Sequence, residues 1–279
     1  MNTVTVAAIS ASLVFGVGAN ELSIATGGEG GGYNTRGTEI GAKIEDLSNG
    51  NTEVTVMVTN GSGHNIELFD EGKADVFFAQ EDSLNVTPPN RAYRSKPIGQ
   101  EAIYHFVNEK SDFTDPADYE GDKDVYIVLV ADSGSAITWA NFVKEDSDYG
   151  KNPILWADDL WEAISYVSDG TYDGKQIGGA LHVTKLGKLD RELAQDFSHN
   201  VRIGSTSGDK DFNDAENVNG DALYTKCELE NAHLGGFKTT SIFSDPDTLC
   251  MNAVIAYSID LDSDIQKNLK KAIVRTTNK

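Results

Sequence analysis

The spacing of hydrophobic residues in the first eighty positions predicts a βαβαβ unit. Valine occupies every second position over 54–58, which is typical of a strand with one buried face. Residues 76–78 form a short apolar run, which is typical of a buried parallel strand. Together with a first strand at 22–26, these segments predict three parallel strands with right-handed crossovers.

Two helical patterns separate the three strands. Ile40, Ile44 and Leu47 lie at positions i, i+4 and i+7 of a helix that begins near Arg36. A second, shorter helix follows Gly63. Parallel strands need crossovers of this kind, so the helices and strands predict the same local topology.

Small and polar residues follow each of these strands. The clusters are 26–33 (Thr-Gly-Gly-Glu-Gly-Gly-Gly-Tyr), 60–63 (Asn-Gly-Ser-Gly) and 80–83 (Gln-Glu-Asp-Ser). In an open parallel sheet, ligands bind outside the carboxyl ends of the strands, so the clusters predict a ligand-binding crevice. The adjacent carboxyls Glu81 and Asp82 share one turn and are expected to face different directions, which argues against a catalytic pair.

The second half of the chain repeats this α/β order. Strands are expected at 125–131, 154–156, 179–183, 200–204 and 249–258, and helices at 136–143, from Asp158, and at 264–274. The two sets are separated near residues 105–124. They predict an α/β fold of two Rossmann-like lobes with a hinge, lobe 1 at 20–115 plus about 240–279 and lobe 2 at about 116–239.

The turn Asp132-Ser133-Gly134-Ser135, between a strand and a helix, has two interpretations. A helix N-terminus offers free N–H groups and the positive end of the helix dipole to a carboxylate or phosphate. Alternatively, the turn is an ordinary N-cap, since Ser and Asp are favoured there. Its position after a buried strand, as in the first half, favours the anion site. Arg36 either clamps an anion through its guanidinium or points into solvent.

Composition excludes several classes of function. The chain has 279 residues, 39% of them hydrophobic, which is sufficient for two ordinary lobes. A net charge of −21 argues against nucleic acid or anionic membrane as a partner, because it repels phosphates. The glycines match no nucleotide-binding motif, and the five histidines and two cysteines lack metal-site spacing. We therefore expect no cofactor, no metal and no catalytic residues.

The N-terminus and the two cysteines bear on localisation. Residues 1–19 are mostly apolar and end in Val-Gly-Ala, which predicts a signal peptide cleaved before Asn20, although the segment lacks a basic residue. The alternative is a strand or helix of the mature protein. In an exported protein, Cys227 and Cys250 are expected to form a disulfide worth roughly 3 kcal/mol, the alternative being two separate buried thiols. No other segment approaches transmembrane length.

Three segments have the residue order and spacing of a known family. They read SIATGGEGGGYNTRGTEIGAKI at 23–44, VTVMVTNGSGHNIELFDEGKADVFFAQED at 54–82 and DSGSAITWANF at 132–142. A Thr-x-Gly-Ser with a downstream Asn follows the second strand, and Gly-x-Ala-Asp precedes the third, which ends in Gln80. The segment 237–273 has the family's closing strand and helix pattern. On these residues the chain resembles the TAXI family, the extracytoplasmic solute receptors of TRAP transporters, which have the type II periplasmic binding protein architecture.

The resemblance implies two lobes that close over a small solute by a hinge motion. By position, the implied ligand contacts are Thr26, Gly27, Gly28, Tyr33, Gln80, Ser83, Ser133, Gly134 and Ser135. Members of the family bind small carboxylates, such as glutamate-like amino acids and dicarboxylates. The chain departs from the family pattern at 34–36 (Asn-Thr-Arg) and over 205–225, which affects the expected solute and transporter contacts.

The sequence therefore predicts a periplasmic or extracellular receptor that traps a small anionic or carboxylate molecule for TRAP-type uptake. The expected partners are the solute and the membrane subunits of the transporter. Two alternatives remain open: an enzyme on the same architecture, and a structural or interaction protein that reuses the fold with a degenerate cleft.

Overall fold

The computed structural model describes residues 20–217, 219–241 and 246–277, so the predicted signal peptide at 1–19 lies outside the described residues. The helices are α1 (Gly32–Leu47), α2 (Ser62–Asp70), α3 (Glu81–Val86), α4 (Gly134–Glu145), α5 (Leu160–Asp169), α6 (Arg191–Phe197) and α7 (Ser263–Thr277). The strands are β1 (Asn20–Ala25), β2 (Thr52–Met57), β3 (Val76–Gln80), β4 (Tyr93–Asn108), β5 (Val125–Val130), β6 (Ile154–Ala157), β7 (Thr171–Tyr172), β8 (Lys175–Lys185), β9 (Val201–Gly204), β10 (Thr225–Glu228), β11 (Lys238–Thr239) and β12 (Asp247–Ser258). Within these ranges, every helix is too short or too polar to cross a membrane.

The main strands form one continuous sheet in the order β2-β1-β3-β12-β4-β8-β5-β6. β1 pairs in parallel with β2 and β3, which confirms the predicted βαβαβ unit. β5 pairs in parallel with β6 and β8 and so forms a second parallel set. Between the two sets, β12 and β4 are antiparallel to each other and to their outer neighbours β3 and β8. These two long strands therefore join two α/β halves.

Each half of the sheet is covered by helices on both faces. In the first half, Ile40 of α1 and Leu269 of α7 belong to one apolar cluster, while Phe69 of α2 and Leu84 of α3 belong to another. In the second half, α4 and α5 contribute to two further clusters on opposite faces. Because every face of the sheet buries apolar side chains, each half is a three-layer α/β lobe. The residue boundaries given for the lobes above stay a prediction.

Some element boundaries differ from those that the sequence predicts. β2 ends at Met57, so Val58 lies outside the strand and is 58% exposed. The other valines of β2 are only half-buried because β2 is an edge strand. α1 begins at Gly32 rather than near Arg36, since the extended backbone of Gly31 allows the helix to start within the glycine loop.

The largest difference is β4, which the sequence did not predict. Its first part pairs with β12, and its last part pairs with β8 and β9, so it passes from one lobe to the other. Glu101 lies at the crossing, opposite Met251 of β12 and Lys185 of β8. This position places a charged residue at the junction of the lobes.

Cys227 and Cys250 form the predicted disulfide, with their Cα atoms 6.0 Å apart. β10 and β12 are antiparallel, and Cys250 lies opposite Thr225 in this pairing. The disulfide therefore ties β10 to one of the two strands that join the lobes. By restricting the unfolded chain, such a cross-link contributes roughly 3 kcal/mol to stability.

Candidate functional site

Buried polar side chains tie together the carboxyl ends of β1, β2 and β3. We call Thr26, Thr59, Ser62 and Asn65 the framework cluster. Asn65 donates from Nδ2 to the carbonyl oxygens of Thr26 and Phe78, the latter at 2.8 Å, and its Oδ1 accepts from the Thr59 hydroxyl at 2.6 Å. Ser62 Oγ accepts a hydrogen bond from the backbone N–H of Gln80 at 3.1 Å. These side chains fix three strand ends in one place.

The predicted ligand contacts at the end of β1 lie in different environments. The Thr26 hydroxyl donates to the carbonyl of Met57 at 2.7 Å, so it serves the lobe itself. Gly27 is buried, and its carbonyl accepts from the N–H of Thr59 at 3.2 Å. Gly28 is exposed. Only the outer part of this loop therefore faces solvent.

A second group of polar side chains lies where the lobes meet. We call Tyr33, Gln80, Asp82, Ser83 and Glu101 the inner cluster. The Tyr33 hydroxyl donates to Glu101 Oε2 at 2.9 Å, and the Gln80 side chain also hydrogen-bonds the Glu101 carboxyl. Asp82 Oδ2 accepts from the hydroxyls of Thr138 on α4 at 2.6 Å and of Tyr224 at 3.1 Å. The inner cluster thus connects the first lobe to α4 of the second.

Burial shifts the protonation of both carboxyls in the inner cluster. Desolvation raises the pKa of Glu101 to about 7; hydrogen bonds from Tyr33 and Gln80 oppose this shift, and the negative charge of Asp82 adds to it. Desolvation likewise raises the pKa of Asp82 to about 6, opposed by hydrogen bonds that include the one from Thr138. Because burial disfavours the charged form of each carboxyl, a proton or another positive group at this place is favourable.

Three atoms of the inner cluster are buried without a hydrogen-bond partner among the described residues: Gln80 Oε1, Asp82 Oδ1 and Ser83 Oγ. Their residues are 4%, 0% and 0% exposed, respectively. Leaving such an atom unpaired costs about 1–3 kcal/mol, and native proteins retain few of them. Three on neighbouring residues mark a place where water or a ligand completes the hydrogen bonding.

The start of α4 brings the second lobe to the same place. Ser133 Oγ accepts from the N–H of Ala136 at 3.2 Å and donates to the carbonyl of Val130 at 2.8 Å, so its side chain is the N-cap of the helix. Ser135 Oγ accepts from the N–H of Val183 at 3.1 Å. Both hydroxyls are therefore engaged within the lobe. The first N–H groups of α4 have no intrahelical acceptor and remain suited to an anion.

The two lobes touch where Gln80 meets Gly134. A β-carbon added at Gly134 would lie 2.5 Å from the Gln80 amide, so any larger residue here would require the Gln80 side chain to move. A β-carbon at Gly63 of α2 would lie 3.2 Å from Ile137 of α4. The lobes are therefore in a closed arrangement, with the carboxyl ends of strands from both lobes facing each other.

The Arg36 side chain is hydrogen-bonded to the backbone of β4. Its guanidinium donates to the carbonyl of Ile98, on the first part of β4. The side chain therefore ties α1 to β4, and its role as an anion clamp stays a prediction.

A groove of about 480 Å³ lies beside the contact between the lobes. Its walls include Asn60 and His64 of the first lobe, and Asp132, Ser133 and Trp156 of the second. The Trp156 ring is 53% exposed, which is unusual for so large an apolar side chain. The groove has the size and mixed chemistry of a small-molecule site.

The structure brings together only some of the predicted ligand contacts. Gln80 and Gly134 are in contact between the lobes, and Tyr33 and Ser83 belong with Gln80 to the inner cluster. Thr26 belongs to the framework cluster. The remaining predicted contacts lie outside the framework and inner clusters, in the surroundings described above; they are Gly27, Gly28, Arg36, Ser133 and Ser135. Whether any of these residues contacts a ligand stays a prediction.

Sequence reasoning missed Glu101 because it missed β4. The available signal was an isolated carboxyl directly before a run of apolar residues. The expectation for the adjacent carboxyls Glu81 and Asp82 is correct, since they face different partners. Glu81 accepts hydrogen bonds from the side-chain amides of Asn217 at 2.9 Å and Asn252 at 2.7 Å.

Comparison with protein-family models and with curated proteins gives no match. Solved structures do match. A protein of Listeria monocytogenes described as an L-cystine ABC transporter aligns over 92% of this chain and 90% of its own, with 9% identity and a TM-score of 0.52. XAC2383 of Xanthomonas citri, solved with ATP, aligns over 92% of this chain and 83% of its own, with 9% identity and a TM-score of 0.54. These similarities establish the fold: the chain has the two-lobed type II periplasmic-binding-protein architecture that the sequence predicts.

Proposed function

We propose that the protein is an exported solute receptor of the TAXI type. It traps a small carboxylate-bearing molecule between its lobes and presents it to the membrane subunits of a TRAP-type transporter. Binding and hinge closure are the whole activity, with no covalent step. The disulfide supports export to an oxidising compartment, and the Listeria neighbour, described as a transporter for L-cystine, supports a small-molecule solute.

The observation that carries the proposal is the contact between Gln80 and Gly134. A receptor that closes over its solute needs polar groups of both lobes at one place. Gln80 is at the end of β3 in the first lobe, and Gly134 begins α4 in the second. The solute site is therefore proposed at this contact, with the neighbouring groove as its entrance.

The start of α4 is the proposed site for the solute's carboxylate. The backbone N–H groups of Gly134 and Ser135 lie in the first turn of the helix, where they have no intrahelical acceptor. The positive end of the helix dipole adds to their attraction for an anion. This assignment follows the position that the family resemblance implies.

One observation favours a second candidate, a structural or interaction protein with a degenerate cleft. The hydroxyls of Ser133 and Ser135 are both engaged within their own lobe, so parts of the expected site are occupied by the protein itself. This candidate predicts lobes that stay closed and bind no solute.

Native mass spectrometry of the purified protein, followed by denaturation, tests the receptor directly. A small molecule that is released on denaturation supports the receptor. A second experiment measures the shift in melting temperature on addition of a panel of amino acids, dicarboxylates, oxoacids and amines. Protein that carries nothing and is stabilised by no member of the panel supports the degenerate cleft instead.

Gln80→Ala provides the site-directed test. Removing the amide should weaken solute binding about tenfold or more, as expected for loss of a buried hydrogen-bonding group. Gln100→Ala is the matched control, because Gln100 is an exposed glutamine on β4. Equal affinity in the two variants would contradict the assigned site.

A further inference from the structure

The inner cluster presents hydrogen-bond acceptors to whatever lies between the lobes. Gln80 Oε1 and Asp82 Oδ1 can accept hydrogen bonds, and Ser83 Oγ can accept or donate one. Glu101 adds a carboxyl group that is 8% exposed. The complementary ligand group is therefore a hydrogen-bond donor.

Among the described residues, no positive side chain forms an ion pair with the carboxyls of Asp82 and Glu101, and Lys185, opposite Glu101 on β8, is exposed. The ion pairs that the structure shows lie elsewhere, and they are Lys43–Asp46, Lys73–Glu71, Lys151–Asp148 and Lys175–Asp124. Arg36 is on the same helix as Tyr33, but its guanidinium binds the carbonyl of Ile98. The charge missing from the inner cluster is thus positive.

We propose that the inner cluster binds an ammonium group of the solute. An ammonium group supplies three N–H donors and one positive charge, which match the unpaired oxygens and the unbalanced carboxyls. The inference rests on the proposed function and narrows the solute to an amine-bearing molecule. Of the two solute classes that the resemblance implies, it favours the glutamate-like amino acids over the dicarboxylates.

The charges of the cleft also orient such a solute. A carboxylate is attracted to the first turn of α4, in the second lobe, whereas Glu101 and Asp82 of the first lobe repel it. A dicarboxylate would bring its second carboxylate close to these groups in a buried, weakly screened place. An α-amino acid can instead direct its carboxylate to α4 and its ammonium group to the inner cluster.

Isothermal titration with matched pairs of compounds tests the proposal. The compounds of each pair differ only in an amino group: succinate and L-aspartate, glutarate and L-glutamate, and propionate and L-alanine. Cadaverine is titrated alone and reports on amines without carboxylate. In at least one pair, the amine should bind about tenfold or more tightly than its partner, since hydrogen bonds to charged groups contribute about 1.5–3 kcal/mol. Glu101→Gln should remove most of this preference.

Glu81→Gln is the matched control. Glu81 is a carboxyl of the same lobe, and its two oxygens are already bound by Asn217 and Asn252, so this variant should keep the preference for the amine. If partners without an amino group bind as tightly as the amines, or if Glu101→Gln keeps the full preference, the ammonium assignment is wrong while the receptor stands. If no member of any pair and no member of the wider thermal-shift panel binds, the receptor itself is wrong.

Discussion

The framework cluster and the inner cluster lie at the same edge of the first lobe but use their polar atoms differently. Both contain buried hydroxyl and amide groups at or after the ends of β1, β2 or β3, and the inner cluster adds carboxyls and the half-buried Tyr33. In the framework cluster, Asn65 Nδ2 donates to two carbonyls of its own lobe, and Asn65 Oδ1 accepts from a hydroxyl of the same lobe. In the inner cluster, Gln80 Oε1 and Ser83 Oγ have no partner within the described part of the chain.

This difference separates groups that hold the lobe together from groups that are available to a solute. Satisfied buried polar groups stabilise a fold, whereas unpaired ones cost free energy that folding alone does not recover. Residue type does not distinguish the two cases, since serines and side-chain amides occur in both clusters. Substitutions at matched positions can therefore test whether the distinction holds.

The largest effect is expected for Asn65→Ala in the framework cluster. The change leaves the carbonyls of Thr26 and Phe78 and the hydroxyl of Thr59 without their amide partner in a buried place. We expect the free energy of unfolding to fall by about 4 kcal/mol. Urea denaturation followed by circular dichroism measures it.

Asn51→Ala is the control for this variant, because Asn51 is an exposed asparagine in the turn before β2. Its free energy of unfolding should stay within about 0.5 kcal/mol of the wild type. A similar small loss for Asn65→Ala would show that the framework cluster does not hold the strand ends together.

The second largest effect is a change in pH dependence for Glu101→Gln in the inner cluster. The pKa of Glu101 is raised from 4.5 to about 7 by burial, so between these pH values the folded protein binds the proton more tightly than the unfolded chain. The free energy of unfolding must therefore fall as pH rises through this window, by about 3 kcal/mol from this group. Glu101→Gln should remove that fall. Urea denaturation at pH 4.5, 5.5, 6.5 and 7.5 measures the slopes.

Other buried groups titrate in the same pH range, and they are present in both the wild type and the Glu101→Gln variant. The pKa of Asp82, also raised by burial, gives a fall of the same sign. Burial lowers the pKa values of His105 and His182 to about 4, which makes their contributions rise with pH. The informative quantity is therefore the difference between wild type and variant at each pH. Parallel profiles would mean that Glu101 is not buried as described.

A smaller effect is expected for Ser62→Ala in the framework cluster. Ser62 is 2% exposed, and its Oγ accepts the hydrogen bond from the N–H of Gln80. Removing the hydroxyl leaves this N–H buried and unpaired, which should cost about 1–2 kcal/mol of unfolding free energy. Thermal denaturation by calorimetry measures the loss. An unchanged free energy would indicate that water replaces the hydroxyl.

Much of the fold could be predicted from the sequence because most elements have a clear period. For β3 the apolar run, and for α1 the apolar stripe, indicate from neighbouring residues alone which positions are buried. β4 could not be predicted, since its first part contains Arg94, Lys96 and Pro97 and is a strand only because β12 pairs with it. Pro97 lacks an N–H, and it is tolerated next to an irregularity in that pairing, at Ala253 and Val254.

The location of the candidate site could be predicted from the sequence, but the hydrogen-bond partners of its side chains could not. The polar ends of β1 and β3 direct attention to Tyr33, Gln80 and Ser83, whose contact with a ligand stays a prediction. The sequence could not show that Thr26 and Ser133 bind their own lobe, because a hydroxyl suits a cap, a strand end or a ligand equally well. Glu101 is brought to the site by long-range pairing alone.

The smallest effect on stability, and the sharpest contrast with Ser62, is expected for Ser83→Ala. Both serines are buried, yet Ser83 Oγ has no partner among the described residues. Its removal should change the free energy of unfolding by less than about 0.5 kcal/mol, or even increase it, because no hydrogen bond is lost. The same calorimetric measurement as for Ser62→Ala gives the comparison. A loss as large as that of Ser62→Ala would show that Ser83 is held by the protein or a structural water, and the inner cluster would then differ less from the framework cluster than its geometry indicates.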